Sequence, residues 1–386
     1  MGVYSEYLDK RLSFQDLTKE RKSQLKRISE LRGRDILVYA ADERKAIPYT
    51  PILYEDLLHI EDQLNNLKGK SIDVILETTG GSGEVAEDIV RLLRGKYDDV
   101  AFIIPGMAKS AGTIMVMSGN DILMGPSSSL GPIDAQLFWQ GKQFSAEAFL
   151  EGLNKIKEET DKDKALNRAY IPILQNISPG DIQHARNALN FAEKLVTEWL
   201  AVYKFKEWEK HSSTGKEVTR TEREKRANQV ARELCNHGRW LTHARSIKIE
   251  DLERMRVKIT DFSKEPELSD AIIRYYTLMR MTFDSNIYKI FETVDSQVYR
   301  YFMPPGNPPM TIGKKAIGEF ECPKCHNISK IQLNFEKDLE LEEGCIKYPP
   351  DDIFKCSKCN EEHNLGEMRR QLELQVQKKV VTDEKD

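Results

Sequence analysis

Residues 71–93 read SIDVILETTGGSGEVAEDIVRLL. Ile72 to Leu76 form a short apolar run of the kind that makes a strand buried on both faces, and the pair Gly80-Gly81 ends it. Val85, Ile89, Val90, Leu92 and Leu93 then recur at helical spacing. The stretch is therefore strand, glycine turn, helix. Working outward, Ile36–Ala40 and Val100–Ile104 predict two more buried strands, and Ile122–Met124 a fourth. Between them, Leu53, Leu57, Ile60 and Leu64 line one helix, with Thr50-Pro51 as its N-cap and first turn, and Lys109–Met117 gives another. Strands alternating with helices predict an α/β domain.

From about Ser145 the character changes. Long charged helices are expected over Ala146–Leu174, Pro179–Lys210, Arg220–Asn236 and Leu268–Phe291. At the other end, Leu17, Leu25, Ile28 and Leu31 mark one or two helices within residues 1–34, read as a packing or assembly arm. Pro304, Pro305, Gly306, Pro308 and Pro309 read as a linker. The domain reading is thus an arm (1–34), a main domain with a helical extension (35–303), a small cysteine-bearing domain (304–366) and a charged tail (367–386).

Composition removes several functions. The 386 residues carry 58 Lys plus Arg against 62 Asp plus Glu, a net charge of -4, which disfavours a protein that coats nucleic acid. With 40% hydrophobic residues the chain can build a core and is not broadly disordered. No run approaches the roughly 18 apolar residues that a membrane-spanning helix needs. The first residues, MGVYSEYLDKRLSFQDL, lack the basic-then-apolar layout of a secretory signal, so a cytoplasmic address is the expectation.

The chemistry concentrates in residues 78–137. Glycines at a strand-to-helix turn let backbone N–H groups approach a ligand, and the helix N-terminus favours an oxyanion. Gly80-Gly81 is followed by no G-K-[ST], and it is no G-x-G-x-x-G, so a nucleotide site is disfavoured. A second such turn, IIPGMAKSAGTIMVMSG, places Ser110 at a helix start between Lys109 and the small Ala111 and Gly112. A serine there is either a cap or a hydroxyl whose developing oxyanion meets a helix N-terminus.

Taken together, ETTGGSGEVAEDIV and PGMAKSAGTIMVMSGNDILMGPSSSLGPIDAQL strongly resemble the Clp-protease-like serine peptidases. They are most similar to the serine dehydrogenase proteinases, relatives of signal peptide peptidase A. The resemblance covers roughly Ile36 to Val257. It implies the ββα superhelix of Clp proteases and crotonases, with a nucleophile at Ser110. It also implies an oxyanion hole from the N–H groups of Gly81 and Ala111, with Gly80 keeping the turn open. The activity implied is hydrolysis of peptide bonds in proteins or peptides, by a chain that assembles as a homo-oligomer.

The base is less direct. Clp proteases use a histidine about 25 residues after the serine, where this chain has SSSLGPIDAQL and Asp134. His243, in HGRWLTHARSI, resembles a G-[KR]-W-x-T-H element late in the proteinase family, giving the set Ser110, Asp134, His243. Two alternatives stand beside it. Lys109 or Lys142 would act as a desolvated amine, or WLTHARSI is structural, docked through Trp240 and Ile247. Two further functions also stay open: a catalytically silent scaffold, and an acyl-CoA enzyme of crotonase type.

Six cysteines include two C-x-x-C pairs, Cys322/Cys325 and Cys356/Cys359. A disulfide framework is unusual in so long a chain without a signal, whereas two such knuckles supply four thiolates for a structural Zn²⁺. A zinc ribbon is expected, with His326 and His363 as bystanders. The acids around it favour contact with a substrate or regulatory protein over nucleic acid.

Overall fold

The computed structural model describes residues 2–139, 141–211, 214–302, 313–376 and 378–381. The proline linker expected at 304–309 lies outside them. The chain divides into two compact units. The larger comprises Lys26–Ile272 and Lys289–Val298, the smaller Met1–Leu25, Ile273–Tyr288 and Tyr299–Asp386.

The larger unit is organised by a mainly parallel sheet. Asp35–Ala41, Ser71–Glu77, Asp99–Ile104 and Asp121–Met124 lie side by side in chain order, with Val38 beside Ile75, Ile75 beside Ile103, and Ile103 beside Leu123. These strands are buried almost end to end because both faces are covered. Asp73, a charge in mid-strand, is tolerated because Arg32 and Arg34 reach it at 2.7 and 2.6 Å. After each of the first three strands the chain makes a shorter parallel contact before entering a helix, and after the fourth it makes such a contact before a strand pair. Ile52 bridges Gly81, Thr78 bridges Ala108, and Met107–Ala108 pairs with Ser129–Leu130. Strand, short strand, helix is thus the repeating turn.

The helix Gly83–Lys96 shows how the sequence drives packing. Ser82 caps it by accepting from the Val85 N–H at 3.1 Å, and Val85, Ala86, Ile89, Val90 and Leu93 form its buried stripe. Burying each of the larger of these side chains is worth about 1.5–3 kcal/mol.

Several local expectations change: the helix expected over Ala146–Leu174 ends at Asp163, and that over Pro179–Lys210 is α-helical to Trp199. The stretch Leu268–Phe291 is a helix only as far as Thr282, from Pro266. Ile287–Glu292 is a strand, antiparallel to Asp35–Ala41 and buried at all six positions. A segment buried at every position, its Lys289 and Glu292 included, presents no solvent-facing side whose period would distinguish helix from strand, and pairing with the sheet decides it. The early helix also starts late, at Asp56, because Ile52 is held extended between Gly80 O and Ser82 N (2.8 and 3.1 Å).

That extended residue is secured by a buried ion pair. Lys289 Nζ lies 2.8 and 2.7 Å from the two oxygens of Asp56 and 2.7 Å from Pro51 O, while Tyr39 OH donates to Asp56 at 2.6 Å. Burial, with Asp56 beside it, holds the Tyr39 phenol protonated well above its ordinary range.

In the smaller unit, Lys315–Glu321, Ile328–Asn334 and Cys345–Lys347 form one sheet, Ile353–Lys355 and Glu362–Asn364 a hairpin pair, and Gly366–Val376 a helix. Its core includes Cys322, Ile331, Leu333, Phe354 and Cys356.

Asp56→Ala, which removes the carboxylate from the buried Lys289 ammonium, is expected to cost about 3–5 kcal/mol in urea denaturation, against about 1 kcal/mol for Tyr39→Phe.

Candidate active site

Thr78 stitches the two glycine-bearing turns together. Its N–H donates to Met107 O and its C=O accepts from Lys109 N, both at 3.0 Å, and its Oγ1 accepts from Gly80 N at 3.1 Å. The turns consequently pack with no space between them. A Cβ on Gly80 would lie 2.6 Å from Ser110 Cβ, and one on Gly112 2.5 Å from Thr78 Cγ2. Gly80 also takes φ +102°, open to glycine at little cost.

This arrangement uses some N–H groups and leaves others. Gly80 N is spent on Thr78, and Ile52 takes Gly80 O and Ser82 N. Among the described residues, the N–H groups of Gly81 and Ala111 have no partner. Neither does Ser110 Oγ, which does not cap its helix. Ser110 is held at φ +49°, ψ −118°, a backbone conformation that costs a non-glycine residue of order 1–3 kcal/mol.

His243 arrives from 109 residues beyond Asp134. Its Nδ1 is hydrogen-bonded to Asp134 Oδ1, and Asp134 Oδ2 accepts from Gln136 Nε2 at 2.8 Å and from His237 Nδ1 at 2.9 Å. Asp134 is only 1% exposed. Burial raises its pKa, but the hydrogen bonds and charges of His243 and His237 outweigh that and hold it below the usual aspartate range. The segment carrying His243 is docked as its structural reading anticipates. Trp240 and Ile247 are buried, Trp240 Nε1 donates to Glu233 O at 2.7 Å, and Ile247 exchanges two 3.0 Å backbone bonds with Leu130. Docking and the Asp134 contact are one arrangement.

A cavity of about 720 Å³ is lined by Gly80, Gly81, Ser110, Ala111, Asp134 and His243 together. Apolar walls come from Ile114, Ile133, Leu137 and Phe191, and His184 also faces it. Neither candidate lysine lines it. Lys142 is exposed. Lys109 Nζ is committed to Leu130 O, Ser246 Oγ and Arg245 O at 2.8, 3.2 and 3.3 Å. Burial, with Lys248 nearby, brings its pKa down to about 8. His237, Gln136 and His184 were not assigned from the sequence. Only the spacing of His237, six residues before His243, hinted at the first.

The four cysteines also meet. Their Sγ atoms all lie within 4.8 Å of one another, a group that could hold a metal ion. The Cys322–Cys359 and Cys325–Cys356 sulfurs are 3.6 Å apart, close to the about 3.8 Å edge of a tetrahedron with 2.3 Å metal–sulfur bonds. Both knuckles have one backbone form. His326 and Asn360, each just after its second cysteine, take φ +56° and +58° and donate to Cys322 O and Cys356 O at 2.8 and 2.9 Å. His363 Nε2 is 3.3 Å from Cys322 Sγ, so it touches the cluster, whereas His326 pairs with Glu321.

The parallel sheet, the short second strands and the serine turn define a Clp-like protease fold. A family model described as ClpP-like SDH-type serine proteinase matches residues 5–281, and the chain belongs to that family. It is 26% identical over 214 residues to an uncharacterized protein of Methanocaldococcus jannaschii, covering 55% of this chain and 59% of that protein. A second uncharacterized protein of that organism is 24% identical over 143 residues, covering 35% of this chain and 49% of the other. The chain thus spans about half the length of the curated relatives it matches. Among solved structures it is similar to the membrane-bound stomatin-specific protease 1510-N. One form, in complex with a substrate peptide, has 15% identity and a TM-score of 0.32 over 54% of this chain and 70% of that one. Another has 13% identity and a TM-score of 0.32 over 55% and 77%. No helix among the described residues of the present chain is long and apolar enough to cross a membrane.

Because the folded Asp134 binds its proton less readily than an unfolded aspartate, the stability it contributes is present above about pH 4 and is lost as pH falls through its lower folded value. Asp134→Asn is expected to lower stability by about 1.5–3 kcal/mol at neutral pH, with the gap to the parent closing in strong acid, as thermal scans across pH will read.

Proposed function

We propose that this chain is a serine peptidase that hydrolyses peptide bonds through an acyl-enzyme on Ser110. One observation carries the reading: an unpartnered hydroxyl, two unpartnered backbone N–H groups and an Asp-bonded imidazole line one cavity. Ser110 Oγ attacks the substrate carbonyl while His243 takes its proton, and Asp134 fixes the imidazole tautomer and steadies the imidazolium. The oxyanion is held by the N–H groups of Gly81 and Ala111. His243 then protonates the leaving amine, and water, activated by the same imidazole, releases the acid. The commitment of Lys109 to three other acceptors favours histidine over lysine as the base.

The four cysteines fit a structural zinc site. Four thiolates close a tetrahedral ion, leaving no position for substrate, so its contribution is to fold the ribbon (residues 304–366 in the domain reading). A cytoplasmic homo-oligomer, with the ribbon contacting a regulatory protein, completes the reading: the assembly rests on the family resemblance, the address on the composition of the first residues, and the ribbon's partner on the acids around it.

Ser110→Ala is expected to abolish both labelling by a fluorophosphonate probe and cleavage of casein, with the melting temperature nearly unchanged. His243→Ala should lower kcat by at least about 10³-fold, and retention of most activity would exclude it as the base. Elemental analysis should find about one zinc per chain, and chelation or Cys356→Ser should unfold the ribbon, seen as loss of its near-ultraviolet circular dichroism. Less than half a zinc per chain contradicts the site.

A further inference from the structure

Asp134 serves two imidazoles. His243 holds Oδ1, while His237 donates from Nδ1 to Oδ2 at 2.9 Å, and Gln136 adds a bond to the same oxygen at 2.8 Å. The Asp134 side chain is closed to solvent, so no water competes for these positions. We propose that His237 is a positioning residue, which acts through Asp134 to set both the orientation and the basicity of His243. The inference rests on the catalytic reading of Ser110, Asp134 and His243.

The backbone that carries His237 is held at three points. It opens the short helix His237–Trp240, its backbone N–H donates to the Glu147 carboxylate, and Trp240 three residues on is anchored in the core. Upstream, Ile133 N donates to Leu234 O at 2.9 Å, which ties the loop bearing Asp134 to the turn bearing His237 as one packed body. A carboxylate bonded at one oxygen only can still pivot about its Cβ–Cγ bond. Fixing Oδ2 from this body removes that freedom and aims Oδ1 at His243.

The second effect is electrostatic. Each donor on Oδ2 draws charge from the carboxylate, and Oδ1 then supports a weaker base at His243. The charged and titratable groups facing His237 are Asp134, Glu147 and, through Asp134, His243. Cys235 lies two residues away, but burial pushes its thiol up to about 12, so it stays neutral. Removing His237 therefore has two separable consequences. The rate falls because Asp134 is less well aimed, and the acidic limb of the rate profile moves up because His243 becomes more basic.

The test uses the full chain and measures kcat and KM for a peptide, and the rate of fluorophosphonate labelling, across about pH 5–9. His237→Ala is expected to lower kcat by about 10–100-fold with KM nearly constant, and to raise the acidic limb by about half to one pH unit. His237→Asn, which keeps a neutral donor near the Nδ1 position, should recover most of the rate. An unchanged rate and limb in His237→Ala overturns the proposal, as does a loss with an unmoved limb that asparagine does not rescue. If the alanine variant fails to fold, His237→Leu fills the volume without a donor and faces the same expectations. Parent protein that is not labelled, or Ser110→Ala protein that still is, would instead overturn the catalytic reading beneath it.

Discussion

The site depends on a side chain that is absent. Gly80 and Ser110 belong to turns 30 residues apart, and these turns pack so closely that a single Cβ on Gly80 would strike Ser110 Cβ. Thr78 spends its N–H, its C=O and its hydroxyl on holding that contact. Because those bonds consume Gly80 N, and Ile52 consumes Gly80 O and Ser82 N, the N–H of Gly81 is left over beside that of Ala111. Two free donors next to a free hydroxyl are thus a by-product of how the backbone accounts for its own hydrogen bonds. The Lys289–Asp56 pair supports this from behind, since it grips the Pro51 carbonyl just before Ile52.

Asp134 is the second point of convergence. A buried carboxylate is costly unless its oxygens are bonded, and here two histidines and a glutamine satisfy it. Its two histidine partners come from the segment that docks through Trp240 and Ile247, so packing and the bonding of the carboxylate draw on the same stretch of chain. Lys109 adds to that docking by bonding Arg245 O and Ser246 Oγ. The lysine next to the serine thus holds the histidine segment in place.

The smaller unit obeys a different logic. Its cysteine core is made of two copies of one short backbone form, each ending in a residue of positive φ whose N–H returns to the first cysteine's carbonyl. Bringing four polar sulfurs into a small core is favourable when one ion binds them all.

Much of this architecture was legible in the chain. The runs at Ile36, Ile72, Val100 and Ile122, each bounded by helical spacing or glycine, determine an α/β sheet, and the C-x-x-C spacing determines the sulfur cluster. These are local patterns, a few residues long, and local physics reads them. Residues 287–291, expected as the end of a helix, are strand: a wholly buried stretch has no solvent-facing side to give it a period. Tertiary structure alone decided that His237 shares the carboxylate which the family resemblance pairs with His243 across 109 residues, and that Lys109 turns away from the cavity. Such pairings depend on how the intervening helices pack, and no spacing within the sequence encodes that distance.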